Sequence, residues 1–212
     1  DIAEELFLVR YNPFVEPETV KKSVQERFEL SRSALAHHYA TSIGEGITMF
    51  WSAHEGDMAY RKELIGRLSA VLPRHCIDTR RSSLVYNATD ATDLRLELPL
   101  LVVTPESAEQ ISSIVKLANE MQFALVPRGS GTGLTGGAIP ARKRSVALSL
   151  TRLTKVGPGD GENRSMALQA GVITGDAAQA AAKSELLFSI DPGSKKASSI
   201  GGNSGENEGG AL

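Results

Sequence analysis

Pro127-Arg128-Gly129-Ser130-Gly131-Thr132-Gly133-Leu134-Thr135-Gly136-Gly137-Ala138-Ile139-Pro140 holds five glycines in the nine residues from 129 to 137 and no acidic side chain. An apolar run, Phe123–Val126, leads into it. Backbone without Cβ atoms brings several N–H groups close to one anion, and the lack of carboxylates leaves nothing in the segment to repel a phosphate. Gly131, Gly133 and Gly136 match the dinucleotide pattern G-x-G-x-x-G literally. A Rossmann site, however, needs a helix opening from the loop so that its N-terminus faces the pyrophosphate. Here Gly136-Gly137 and Pro140 oppose a helix, and Ala141-Arg142-Lys143-Arg144 leads into the strand-like Ser145–Leu150. No Gly-Lys-Ser/Thr follows, which excludes a Walker P-loop as well. What remains is a phosphate cradle of backbone amides, with Arg128 and the hydroxyls of Ser130, Thr132 and Thr135 as helpers.

A second cluster lies near the end of the sequence. It reads Asp191-Pro192-Gly193-Ser194, then Ile200-Gly201-Gly202-Asn203, then Gly205-Glu206-Asn207-Glu208-Gly209-Gly210. All but four of the 20 glycines fall at or after Gly129. Asparagines between glycines suit a loop that hydrogen-bonds a planar polar ligand, although a flexible linker has the same composition. Two such clusters in one chain favour the ligand reading.

Around them the pattern changes from helical to mixed. Pro17 opens a predicted helix through Thr19–Tyr39, with Val20, Val24 and Phe28 four apart. A second is predicted from Gly56 to Leu72, ended by Pro73. Leu98–Val103 reads as a buried strand. Thr104-Pro105-Glu106 then offers a cap, a first-turn proline and a carboxylate for a helix to Met121. Phe123–Val126 is the next strand, and the strand–helix–strand order implies a parallel pair. Ser145–Leu150 and Met166–Ala170 follow as strands. Thr174 is expected to cap the alanine-rich helix Gly175–Lys183, and Leu186–Ile190 to return as a strand.

Bulk properties narrow the function. Net charge is −2, from 23 Lys+Arg against 25 Asp+Glu, which suggests no protein-wide electrostatic partner such as nucleic acid. The apolar run around Pro99–Val103 is far too short to span a bilayer. A single cysteine, Cys76, excludes an internal disulfide framework and a self-contained cysteine-ligated metal site. A cytoplasmic location, free or peripheral to a membrane, is expected. A start at Asp1 without Met and an end just past a glycine cluster suggest a fragment of a longer protein.

Strand–helix–strand, then Pro-Arg-Gly-x-Gly-Thr-Gly-Leu-Thr-Gly-Gly-Ala, then Asp-Pro-x-Ser and Ile-Gly-Gly-Asn, resembles the FAD-binding domain of the vanillyl-alcohol oxidase/PCMH flavoproteins. Within that family the chain is most similar to the D-lactate dehydrogenase and glycolate oxidase FAD-subunit branch. Leu84-Val85-Tyr86-Asn87-Ala88-Thr89-Asp90 resembles the family's tyrosine-and-aspartate lead-in. The resemblance implies an α+β fold with two α/β lobes, incomplete at its C-terminal end, over residues 78–212, behind a mainly helical extension over 1–77. It implies that Gly129, Ser130, Gly131, Thr132 and Gly133, with Arg128 beside them, hold the FAD pyrophosphate, and that Gly136 and Gly137 continue the turn. Pro192, Gly193 and Ser194 would lie near the flavin. Ile200, Gly201, Gly202, Asn203 and Asn207 would line the middle of the cofactor. Covalently flavinylated members carry a histidine at the position of Thr132, so FAD here is expected to be non-covalent.

The activity so implied is oxidation of a small 2-hydroxy acid of the D-lactate or glycolate type, with electrons passed to an iron–sulfur protein or domain. Substrate-binding residues and the catalytic base would belong to a C-terminal domain. Other flavoenzymes of the same fold, acting on sugars or alcohols or without net redox change, share these loops, as does an FAD-binding electron-transfer subunit. The remaining candidates are weaker. His37-His38 point about 100° apart on a helix, which suits no shared metal. Phe50, Trp51 and Tyr60 read as packing groups. Arg142-Lys143-Arg144 reads as a solvated edge, with a nucleotide phosphate as the alternative partner.

Overall fold

A computed structural model describes residues 2–35, 37–92 and 94–209. The chain divides into two compact units, Asp1–Gly66 and Arg67–Leu212.

The first unit holds α1 (Ile2–Tyr11), α2 (Pro17–Arg32) and most of α3 (His37–Ser69). Val9, Val24, Ile47 and Trp51 form its core, with Leu6, Val20, Phe28 and Phe50 packed against it. The helix expected to reach Tyr39 stops at Arg32, because its apolar stripe ends at Phe28 and Leu30 is 81% exposed. Conversely, α3 starts nineteen residues before the predicted Gly56, despite Gly44, Gly46 and Gly56 in its interior. Each glycine costs a helix about 1 kcal/mol relative to alanine. Burial of Ile47 and Trp51, four residues apart on one face, offsets that cost. Gly44 also has a packing reason: a Cβ there would press on the Phe28 ring at 3.2 Å.

In the second unit the chain forms β1 (Ile77–Asp78), α4 (Arg81–Tyr86), β2 (Leu101–Val103), α5 (Ala108–Met121), β3 (Ala124–Arg128) and β4 (Ser145–Ser149). These are followed by β5 (Val156–Asp160), β6 (Ser165–Leu168), α6 (Thr174–Lys183) and α7 (Ile200–Glu206). The main sheet has the order β1-β2-β4-β3. β2 and β3 are not partners, contrary to the simple strand–helix–strand reading. Both run parallel to β4, which inserts between them, with Val102 opposite Ala147 and Arg128 opposite Ser149. That central place explains why every residue of β4 is buried.

The start of α5 is also corrected. Ser107, not Thr104, is the cap: its Oγ accepts from Gln110 N at 3.3 Å, while Gln110 Oε1 accepts from Glu106 N at 2.7 Å. This is a Ser-x-x-Gln capping arrangement displaced by one residue on its return arm. Ser107→Ala is expected to lower stability by about 1 kcal/mol, read as a shift in the denaturant midpoint.

At the sheet's antiparallel edge, Arg80 Nη2 donates to Asp78 Oδ2 at 2.6 Å and Arg80 Nε to Asp78 Oδ1 at 3.0 Å. These bonds hold the Asp78 carboxyl down at about 2, from 3.8. A depressed folded value means the stabilisation is complete above the unfolded value of about 4 and is lost as pH falls towards 2. Denaturant midpoints are therefore expected to fall across that window, and Arg80→Gln to flatten the fall.

The second lobe departs most from expectation. β5 and β6 form an antiparallel hairpin, closed by Asp160 accepting from Asn163 N at 3.0 Å. β5 escaped sequence reading because Gly157-Pro158-Gly159 lacks strand character. Leu186–Ile190 forms no strand, and Leu187 is 84% exposed. Thr174 does not cap α6. It is the helix's first residue, 1% exposed, with its hydroxyl 2.9 Å from Ser198 Oγ. The second glycine cluster, expected as a loop, contains the short helix α7. No helix among the described residues is long and apolar enough to cross a membrane.

Candidate functional site

β3 delivers Arg128 to the carboxyl edge of the parallel strands, where ligands of open α/β sheets bind. The loop 129–138 then arches over that side chain. The guanidinium lies 5.2 Å from the centre of the Tyr86 ring, and Nη1 donates to Ala138 O at 3.4 Å, ten residues on. Gly131, at φ +74°, passes directly above it, and a Cβ there would overlap the guanidinium. Arg128 is 4% exposed, its Nε has no acceptor, and no carboxylate among the described residues lies within ion-pair distance. A buried cation without a counter-ion is costly unless a ligand supplies one.

The loop's own donors point the same way. Residues 129–133 are half-buried, and among the described residues no acceptor meets the N–H of Ser130, Gly131, Thr132 or Gly133. Such groups normally find partners in a folded chain. Gly136, at φ +78°, turns the loop back, and Ile139 N donates to Gly136 O at 3.2 Å.

The second cluster meets the first. Ser199, at the start of α7, is 3% exposed and its Oγ has no partner; a Cβ on Gly129 would overlap it. Ile200 N donates to Val172 O at 2.9 Å and Gly201 N to Ala170 O at 2.8 Å, strapping α7 to the turn before α6. A side chain at 201 would lie 2.9 Å from that same carbonyl, so the close approach requires glycine. Asn203, 2% exposed, accepts from Thr174 Oγ1 at 2.7 Å and donates to Ser199 O and Glu208 Oε2. Asn207 ends the helix in the left-handed region at φ 53°.

The structure thus joins Gly129 to the start of α7 through Ser199, and Gly133 and Gly137 to its end through Glu206, while Gly131 covers Arg128. Pro192, Gly193 and Ser194 form a turn that feeds this helix, with Ala197 N donating to Ser194 O at 2.7 Å and Ser194 Oγ to Glu208 at 3.5 Å. Gly193 and Gly202 have no close approach that a Cβ would block. Sequence reading missed Ser199 and Glu206, which are ordinary residue types revealed only by their neighbours. Arg142, Lys143 and Arg144 are exposed at the turn into β4, with Ser145 Oγ donating to Arg142 O at 2.5 Å.

Two other features do not converge on this site. His75, Cys76 and Glu106 bring donor atoms within 4.8 Å of one another. Arg152 already supplies the cation there, donating to Glu106 Oε1 at 2.7 Å and to His75 O at 3.3 Å. Burial pushes the Cys76 thiol up, making it a poor nucleophile. In the first unit, a cavity of about 670 Å³ is lined by Phe28, Arg32, His37, Thr41, Gly44 and Thr48, none of which belongs to the glycine loops.

A family model described as an FAD binding domain matches residues 99–212, just over half of the chain. The chain belongs to this FAD-binding family. It is similar to the glycolate oxidase subunit GlcD of Bacillus subtilis, with 37% identity covering 65% of this chain and 29% of that protein. Similarity to a D-lactate dehydrogenase of Anaerostipes hadrus is 41%, over 53% and 23%. A D-2-hydroxyglutarate dehydrogenase of Xanthomonas citri pv. viticola is 34% identical, over 68% and 30%. The chain therefore spans less than a third of the length of these curated relatives. Among solved structures, p-cresol methylhydroxylase superposes with a TM-score of 0.61 at 22% identity, covering 71% of this chain and 30% of that one. Alkyldihydroxyacetonephosphate synthase gives 0.61 at 22%, covering 67% and 31%. The fold is the PCMH-type FAD-binding fold, and FAD is the cofactor of the family. The residues present fit that cofactor: among the described residues the loop amides and the Ser199 hydroxyl have no partner, the buried arginine meets no carboxylate, and glycines stand where side chains would fill the cradle.

Proposed function

We propose that the chain forms the FAD site of an oxidoreductase that oxidises a small 2-hydroxy acid. The observation that carries this reading is the run of half-buried N–H groups from Ser130 to Gly133, without acceptors among the described residues, above a buried arginine that meets no carboxylate among them. Gly129, Ser130, Gly131, Thr132 and Gly133 bind the pyrophosphate through their amides, and Arg128 balances its charge from beneath. Gly136 and Gly137 turn the loop back. Pro192, Gly193 and Ser194 border the flavin, while Ile200, Gly201, Gly202, Asn203 and Asn207 follow the middle of the cofactor. When bound, FAD supplies the two-electron acceptor for the hydride leaving the substrate's α-carbon.

FAD is held non-covalently, since Thr132 offers no ring nitrogen and the Cys76 side chain is buried. The relatives named above as glycolate oxidase, D-lactate and D-2-hydroxyglutarate dehydrogenases support the 2-hydroxy acid class. Substrate recognition falls to a C-terminal domain outside residues 1–212, and the electrons pass to an iron–sulfur protein or domain. The FAD-binding domain occupies 78–212 behind an N-terminal extension over 1–77. A lone cysteine fits a cytoplasmic setting, free or peripheral to a membrane.

The test is an absorbance spectrum of the full-length protein under anaerobic conditions. A flavin spectrum that D-lactate, glycolate or D-2-hydroxyglutarate bleaches is expected. A yellow protein that none of these 2-hydroxy acids bleaches would overturn the substrate class, and a colourless protein unable to take up added FAD would overturn the flavin site.

A further inference from the structure

The two glycine clusters are joined by one side-chain bond across 71 residues of sequence. Thr135 Oγ1 donates to Glu206 Oε2 at 2.7 Å. The same hydroxyl accepts from Gly137 N at 3.4 Å, so it fixes the turn around Gly136 on both sides. The other carboxylate oxygen, Oε1, lies 2.7 Å from where a Gly137 Cβ would be and 3.8 Å from that of Gly133. The carboxylate rests in a hollow that a side chain at 137 would enter, while one at 133 would only touch it. At its other end Glu206 is the last residue of α7, whose start is strapped to Ala170 and Val172.

A glycine-rich loop held only at its two ends has many accessible backbone states, and ordering it on binding subtracts from affinity. An anchor at its middle removes part of that cost beforehand. A carboxylate beside a phosphate site is otherwise unfavourable, because like charges repel. Here Oε2 is taken up by a hydroxyl on the loop's returning limb, and Oε1 lies near Gly133, at the far end of the unpaired amides Ser130–Gly133 of the outgoing limb.

We propose that Glu206 is a positioning residue that latches the returning limb of the loop through Thr135, presetting the outgoing limb for FAD. The inference rests on the FAD reading above, and its test separates the two. Full-length protein stripped of flavin is compared with E206A, E206Q and T135V by hydrogen exchange over residues 129–139 and by FAD titration. Faster loop exchange is expected in E206A and T135V, with FAD bound roughly tenfold more weakly, equivalent to about 1.4 kcal/mol. E206Q keeps an acceptor for Thr135 and should restore both readouts. The double variant E206A/T135V should be no worse than either single one, because both break one bond.

Unchanged exchange in E206A and T135V would overturn the latch whatever FAD does. Tighter FAD binding in E206A and E206Q alike would overturn it too, by showing that the carboxylate acts only as a repelling charge. If the parent protein binds no FAD, the flavin reading fails, and the exchange measurement still decides whether the latch exists.

Discussion

Gly131→Ala is expected to weaken FAD binding by roughly two orders of magnitude while leaving the protein folded. Two costs act together. At φ +74° an L-residue pays about 1–2 kcal/mol for the left-handed conformation. The new Cβ would also overlap the Arg128 guanidinium, which must then leave its place between Tyr86 and Ala138. Losing that fixed charge adds at least another 1–2 kcal/mol, and each 1.4 kcal/mol is tenfold in affinity. Other glycines provide an internal scale. Gly136 is also left-handed, at φ +78°, but a Cβ there would meet only the tip of Ile139 at 4.0 Å, so Gly136→Ala carries the conformational cost alone. Gly193→Ala meets nothing within 4 Å and is expected to be the mildest of the three. Flavin fluorescence titration gives the affinities, and thermal melting of the flavin-free protein separates them from folding. Equal losses at all three positions would mean that backbone geometry at 131 has no special part in binding.

Much of this region was legible because its physics is local. Leu101–Val103 is an uninterrupted apolar run, and Gly129–Gly137 declares its bareness in sequence. What could not be read was set by distant partners. β4 displaces β2 from β3 through hydrogen bonds that no spacing records. α7 forms from Ile-Gly-Gly-Asn-Ser-Gly-Glu, a sequence with poor helix propensity, because backbone bonds to Ala170 and Val172 and the buried Asn203–Thr174 contact hold it. Thr174 looked like a cap since threonine often is one; burial beside Ser198 diverted its hydroxyl. In the first unit, glycines concealed α3, and the covering of Ile47 and Trp51 revealed it. Ser199 and Glu206 carry no motif of their own, and only the fold places them against Gly129 and Gly137.

Arg128 produces the sharpest test, because stability and binding should move in opposite directions. The residue is 4% exposed; one long hydrogen bond and an aromatic face offset the loss of water only in part, and its Nε has no partner among the described residues. Replacing a poorly compensated buried charge by an apolar side chain of similar length is often neutral or stabilising. Arg128→Met in the flavin-free protein is therefore expected to hold or raise the melting temperature. The same change removes a fixed positive charge from beneath the phosphate cradle. At an effective dielectric of about 20, a charge pair some 4 Å apart is worth about 4 kcal/mol, which sets a loss of roughly two to three orders of magnitude in FAD affinity. Arg128→Lys keeps the charge but cannot reach Ala138 O while stacking a planar group on Tyr86, so its affinity should fall between the two. If Arg128→Met destabilises the flavin-free protein by several kcal/mol, the arginine is chiefly a structural post for the loop. If it leaves FAD affinity intact, the cradle works through its backbone amides alone.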